Sequence, residues 1–119
     1  EGGFIQGQGW LTIEEVNWKS NGQITTFSPS TYKIPAVNDI PKKFNVEIYK
    51  DGKNEANVVN KAKTTGEPPL MLAMSVFFAI KDAIASTTNY KKIPKLDAPA
   101  TPEKILMSLK ELKSRIKYN

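Results

Sequence analysis

Leu70-Met71-Leu72-Ala73-Met74-Ser75-Val76-Phe77-Phe78-Ala79-Ile80 carries no charged side chain, and Lys81-Asp82-Ala83-Ile84-Ala85 continues it. Apolar groups fall on every side of a helix drawn through this run rather than along one stripe, the pattern of a helix buried all round. The uncharged part is short of the roughly 20 apolar residues a bilayer span needs, so no membrane partner is expected. Pro68 and Pro69 stand at its entrance, where the first N–H groups of a helix lack intrahelical acceptors anyway. The expected helix covers about 69–86.

Working outward toward the N-terminus, Lys63-Thr64-Thr65-Gly66-Glu67 leads into those prolines. A residue before proline is pushed toward extended geometry, which restricts Glu67, while Gly66 can turn sharply with φ > 0. The pair would form a stiff bracket holding one acid at the positive end of the helix. Local chemistry leaves two roles open. The carboxylate could merely complement the helix dipole, worth about 0.3–1 kcal/mol. It could instead be a base, because burial in a dry pocket can raise a carboxyl pKa by up to about 3–5 units and outweigh the dipole.

Composition narrows the chemistry. The 119 residues suit one modest domain, residues 1–119, and contain neither cysteine nor histidine. Disulfides, thiol chemistry, the commonest metal ligand and the commonest general base are therefore all absent. The carboxylates do not cluster, so no metal site is expected from this chain's own side chains. Lys and Arg number 17 against 12 Asp and Glu, a net charge of +5, with Lys104, Lys110, Lys113, Arg115 and Lys117 gathered near the end. No aromatic residues interleave with that basic run to stack on bases, so it reads as the solvated side of a helix and no nucleic-acid partner is expected.

Other stretches supply secondary structure. Gly2–Ile13 (GGFIQGQGWLTI) reads as a weak helix, since each interior glycine costs roughly 1 kcal/mol. Ser20-Asn21-Gly22 between Glu14–Lys19 and Gln23–Phe27 is a hairpin signal. Phe44, Val46 and Ile48 alternate with polar residues as in a half-buried strand, and Val58-Val59 begins another short extended run. Pro29 to Pro41 reads as a structured loop, with Tyr32 packed and its hydroxyl satisfied rather than part of a site. Thr101-Pro102-Glu103 starts a helix in the expected order, and Ile105, Leu109, Leu112 and Ile116 share one face over about 102–117. The expected class is α+β: a hairpin and short strands with a buried helix and an amphipathic C-terminal helix. So few elements cannot cover a wholly apolar helix, so the chain is expected to be an incomplete piece of a larger domain.

Four blocks carry a resemblance. Glu1-Gly2-Gly3-Phe4-Ile5-Gln6-Gly7, Pro29-Ser30-Thr31-Tyr32-Lys33-Ile34-Pro35, Gly66-Glu67-Pro68-Pro69-Leu70 with Phe77 to Ile84, and Leu96 to Ile105 resemble, in order and spacing, the last part of the molybdenum hydroxylases, the xanthine dehydrogenase and aldehyde oxidase family. The resemblance covers nearly the whole chain and leans to the xanthine dehydrogenase side. It implies the C-terminal part of a molybdopterin-binding catalytic domain, with Glu67 on the family's general base and Gly66 beside the molybdenum–molybdopterin cofactor. Lys63 falls on the family's lysine and is read as structural; Thr64-Thr65 depart from the usual pair. The implied reaction is hydroxylation of purines such as hypoxanthine and xanthine with water-derived oxygen, or of aldehydes. FAD and 2Fe-2S clusters would sit in upstream regions, NAD or oxygen would accept the electrons, and the full-length enzyme would be a cytoplasmic or peroxisomal homodimer, the fragment alone being inactive. A small basic binding module without catalysis is the alternative from another class.

Overall fold

Helix formation begins where the residues favour it least. In the computed structural model, which describes residues 1–64 and 67–114, α1 runs Gly2–Thr12 despite four glycines. At about 1 kcal/mol each relative to alanine, such a helix depends on what it packs against. α2 spans Glu67–Ser86 and α3 spans Pro102–Ser114. Short 3-10 turns at Val37–Asp39 and Val59–Lys61 interrupt the long connection from α1 to α2.

α3 follows its sequence signals closely. Thr101 accepts the Lys104 N–H on Oγ1 at 3.4 Å, and its carbonyl accepts the Ile105 N–H at 2.9 Å. These bonds satisfy donors that every helix start leaves without intrahelical partners. Leu112 is buried, and Ile105 and Leu109 pack beside it against Ile84, Leu96 and Ala100, with Phe77 and Ile80 completing the cluster. The Ala100 N–H donates to the Leu11 carbonyl at 2.7 Å, tying the approach to α3 onto the end of α1. Lys104 lies 3.7 Å from Glu15 and Lys95 4.0 Å from Glu111, so α3 presents mixed charge rather than a bare basic stripe. Residues 115–119, including Ile116, Arg115 and Lys117, fall outside the described residues.

The α+β expectation is corrected: among the described residues there are three α-helices and no strand. The Asn-Gly turn does form, with Gly22 at φ 82°. It closes only one antiparallel bridge, Trp18 to Ile24, flanked by Lys19 N–H to Gln23 O and Thr25 N–H to Asn17 O, both 2.8 Å. Residues 44–49 stay unpaired; Phe44 leans on Phe4 at 5.3 Å between centroids, but Ile48 is 88% exposed. Val58-Val59 leads into a turn, with Asn60 and Lys61 in the left-handed region. The physical reason is shared. Alternation specifies which face of a strand would be buried, but a strand also needs a neighbour to accept its ladder, and none lies alongside.

α2 is corrected as well. It starts two residues earlier than expected and takes in Glu67, and its sides are not covered: Ala73 and Ile84 are buried, whereas Leu72 is 66% and Phe78 55% exposed. By length and composition alone its 20 residues are apolar enough to cross a membrane, a test the shorter uncharged run did not suggest. The expected shortage of covering surface is plain in the dimensions. The Cα radius of gyration is 18.6 Å, against about 13.5 Å from the scaling for compact domains of this length. Among the described residues no large side chain is fully buried. The isolated 119-residue chain is therefore expected to melt without a cooperative transition. Calorimetry of the purified chain checks this, and a sharp two-state endotherm would contradict it.

Candidate active site

The site is built where α1 and α2 touch. Along α1, Gly3 and Gly7 stand one turn apart and face Pro69 and Ala73, which stand one turn apart on α2. A Cβ on Gly3 would come within 2.8 Å of the Pro69 Cβ, and one on Gly7 within 2.7 Å of the Ala73 Cβ. Only a hydrogen fits at those points, so here glycine is required by close approach, which repays its poor helix propensity.

Beside this contact the two helices leave a cleft of about 280 Å³ lined by Gly3, Gln6, Gly7 and Trp10 from α1 and by Glu67, Pro69 and Leu70 from α2. That is near the lower end of the roughly 300–1,000 Å³ range of small-molecule sites, and the exposure of Glu67 and Trp10 leaves this wall open to solvent. Glu67, the acid singled out from the sequence, stands at this cleft, at the N-terminus of a 20-residue helix. Its side chain is exposed in this chain, so dryness at the carboxylate depends on cover from elsewhere. Gly66 lies outside the described residues. Lys63 is exposed and does not line the cleft.

Gln6 and Trp10, also one turn apart, form a ridge between this cleft and a second one reaching Glu14, Tyr32 and Pro35. Two groups there were not legible as a pair in the sequence. Glu14 is buried, 7% exposed, and its Oε2 accepts a short hydrogen bond from the Tyr32 hydroxyl. That bond, followed by burial and by the negative charge of Glu14, holds the Tyr32 pKa above its usual value. Tyr32 is thus packed with its hydroxyl satisfied, as its sequence neighbours suggested. Gln8 is a further unanticipated residue. Its Nε2 donates to the Asp39 carbonyl at 2.7 Å, while its buried Oε1 finds no partner among the described residues. Tyr90, away from the cleft, is likewise raised, first by the charge of Asp82.

The donor set limits the chemistry. The α1–α2 cleft offers one carboxylate, one amide, an indole and glycine backbone, and no group of three or more His, Cys, Asp or Glu assembles among the described residues. Such a wall can accept a proton and hydrogen-bond an organic group, but it cannot hold a metal ion with its own ligands. A metal would have to arrive carried by another scaffold.

Comparison with known proteins gives this geometry a context. A family model described as a molybdopterin cofactor-binding domain matches residues 1–41, which include α1 and the Glu14–Tyr32 pair. The chain is 48% identical over 111 residues to the xanthine dehydrogenase/oxidase of Mus musculus, covering 88% of this chain and 8% of that protein. It is 44% identical over 119 residues to the xanthine dehydrogenase of Oryza sativa subsp. japonica and 45% over 111 residues to that of Dictyostelium discoideum, each match covering 91% of this chain and 8% of the relative. The chain thus spans less than a tenth of the length of the curated relatives it matches.

The Tyr32–Glu14 bond has a pH signature. A tyrosine whose folded pKa is raised lends stability that is complete below the unfolded value of about 10 and is lost as pH rises through the higher folded value. In the full-length protein, stability should therefore fall more steeply with pH above about 10 in the parent than in Tyr32→Phe. Urea midpoints measured against pH test this; parallel curves would remove the bond from the account.

Proposed function

Because this chain belongs to the xanthine dehydrogenase family, we propose that it is the segment of a molybdopterin-dependent hydroxylase that supplies the general base, Glu67. The observation that carries the reading is the placement of Glu67 at the mouth of the α1–α2 cleft, with apolar and glycine surface around it. The absence of metal ligands from that wall fits a cofactor whose molybdenum is held by its own pterin sulfurs. When bound, that cofactor supplies the oxidising centre that takes two electrons from the substrate carbon.

The chain's own residues do the remaining work. Glu67 accepts on a carboxylate oxygen the proton shed as water-derived oxygen bonds to an electron-poor ring carbon. Glu67 stands in the first turn of α2, at the positive end of the helix dipole. Pro69, Leu70 and Trp10 supply the apolar part of the cleft wall beside Glu67, and further cover over the exposed carboxylate would keep an accepted proton from bulk solvent. Gly66, next to Glu67 in the sequence, is the proposed cofactor contact, since a residue without a side chain permits close approach. Gln6 offers an amide that can both donate and accept toward a bound heterocycle.

Purines of the hypoxanthine and xanthine type are the proposed substrates, on the strength of the relatives' names and of the sequence blocks that lean to that side of the family. Aldehydes are the second substrate class. The electrons would leave through 2Fe-2S clusters and FAD in other regions to NAD or oxygen, in a cytoplasmic or peroxisomal homodimer.

Glu67→Gln in the full-length protein tests the assignment, since the amide keeps the shape and loses the ability to take a proton. Removing a general base costs typically about 10²–10⁴-fold. Xanthine-dependent dye reduction should fall by that factor with molybdenum content unchanged. Turnover near the parent rate in a fully loaded variant would end the reading.

A further inference from the structure

We infer that Gly3 and Gly7 are positioning residues for Glu67: their missing side chains set the distance between α1 and α2 and so the place of the carboxylate in its cleft. The inference rests on the reading of Glu67 as a base and adds to it the device that aims that base.

Three observations combine. First, the contacts are too tight for any larger residue, 2.7 Å at Gly7 and 2.8 Å at Gly3, and the neighbours met are the Ala73 Cβ and the Pro69 ring rather than the ends of flexible side chains. An alanine at Gly7 must drive Ala73 back by about 0.7 Å to regain ordinary contact at 3.4 Å. Second, Pro69 lies two residues from Glu67 within one helix, so displacement at Pro69 or Ala73 is transmitted to the carboxylate by a stiff rod. Third, Gly3 and Gly7 also line the cleft that Glu67 borders, so the same methyl groups would alter the wall facing the reacting atoms. Misplacement by about 1 Å can cost on the order of 10²-fold in rate even when every reacting group is present. The expected retreat is of that size.

The mechanism has a reversible arm and an irreversible one. At Gly7 the opposing group is a single methyl, which Ala73→Gly removes; the remaining neighbours, Leu70 Cδ1 at 3.3 Å and Leu70 Cα at 3.4 Å, need only a few tenths of an ångström. At Gly3 the opposing group is a proline ring, which no change at position 73 relieves.

The experiment uses the full-length holoenzyme, with steady-state kinetics, molybdenum content and hydrogen exchange of the α2 amides as readouts. Gly7→Ala is expected to lower kcat by about 10-fold or more with KM changed far less, and to speed exchange in the first turns of α2 while molybdenum content holds. Adding Ala73→Gly should return most of kcat and the slow exchange. Gly3→Ala should also lower kcat, and Ala73→Gly should not restore it. Should Gly7→Ala fail to load cofactor, the Gly7→Ala/Ala73→Gly protein decides alone: an active, loaded enzyme supports the inference and an inactive one overturns it. Normal kcat in Gly7→Ala beside an inactive Glu67→Gln overturns the positioning role and leaves the base in place. Normal kcat in Glu67→Gln removes the base itself.

Discussion

The approach of α1 to α2 is the constraint on which the other features hang. Interiors are packed at crystal-like density, so two helices can come this close only where one of them carries no side chain. Gly3 and Gly7 supply that gap for Pro69 and Ala73. α1 in turn receives several later segments. Asp39 takes the Gln8 amide, Phe44 lies against Phe4, and Ala100 bonds to Leu11, while just past the helix Glu14 accepts from Tyr32. A helix rich in glycine would be a poor choice for an isolated element. It is a good one for a hub, because its thin faces admit partners from several directions.

The second feature is the bare flank of α2. Met71, Leu72 and Phe78 would each contribute about 1.5–3 kcal/mol if fully buried, yet they stand 63%, 66% and 55% exposed. A chain that matches 8% of the length of its relatives leaves ample polypeptide to cover them. The carboxylate of Glu67 is exposed as well. On the proposed reading, both the stability of α2 and the dryness of its first turn depend on surface supplied from outside these residues.

How much of this was legible in the residues depended on the range of the interaction. α3 could be read to its first residue, because Thr101, Pro102 and Glu103 act within one turn. The existence of α2 and the location of Glu67 at its start were also local facts. The strands over residues 44–49 and beyond Trp18 could not be decided locally, since alternation names a face but not a partner. Glu14 and Gln8 were missed for the same reason. Nothing next to Glu14 announces a tyrosine 18 residues away, nor does anything near Gln8 announce a carbonyl 31 residues on. The glycines of α1 gave a usable signal, a cost in propensity with no turn to justify it, and the structure shows the close approach that explains it.

The hub has a consequence for how the segment acquires its shape. Among the described residues the tertiary partners of α1 lie well along the chain, at Asp39, Phe44, Pro69, Ala73 and Ala100, so these contacts are not local. Closing such long loops carries an entropic cost before any contact repays it, and topologies of this kind fold slowly. During synthesis α1 is made before Pro69, Ala73 and Ala100, so these contacts form only after the later residues have followed. The helix that joins these parts is thus fixed through contacts distant in sequence.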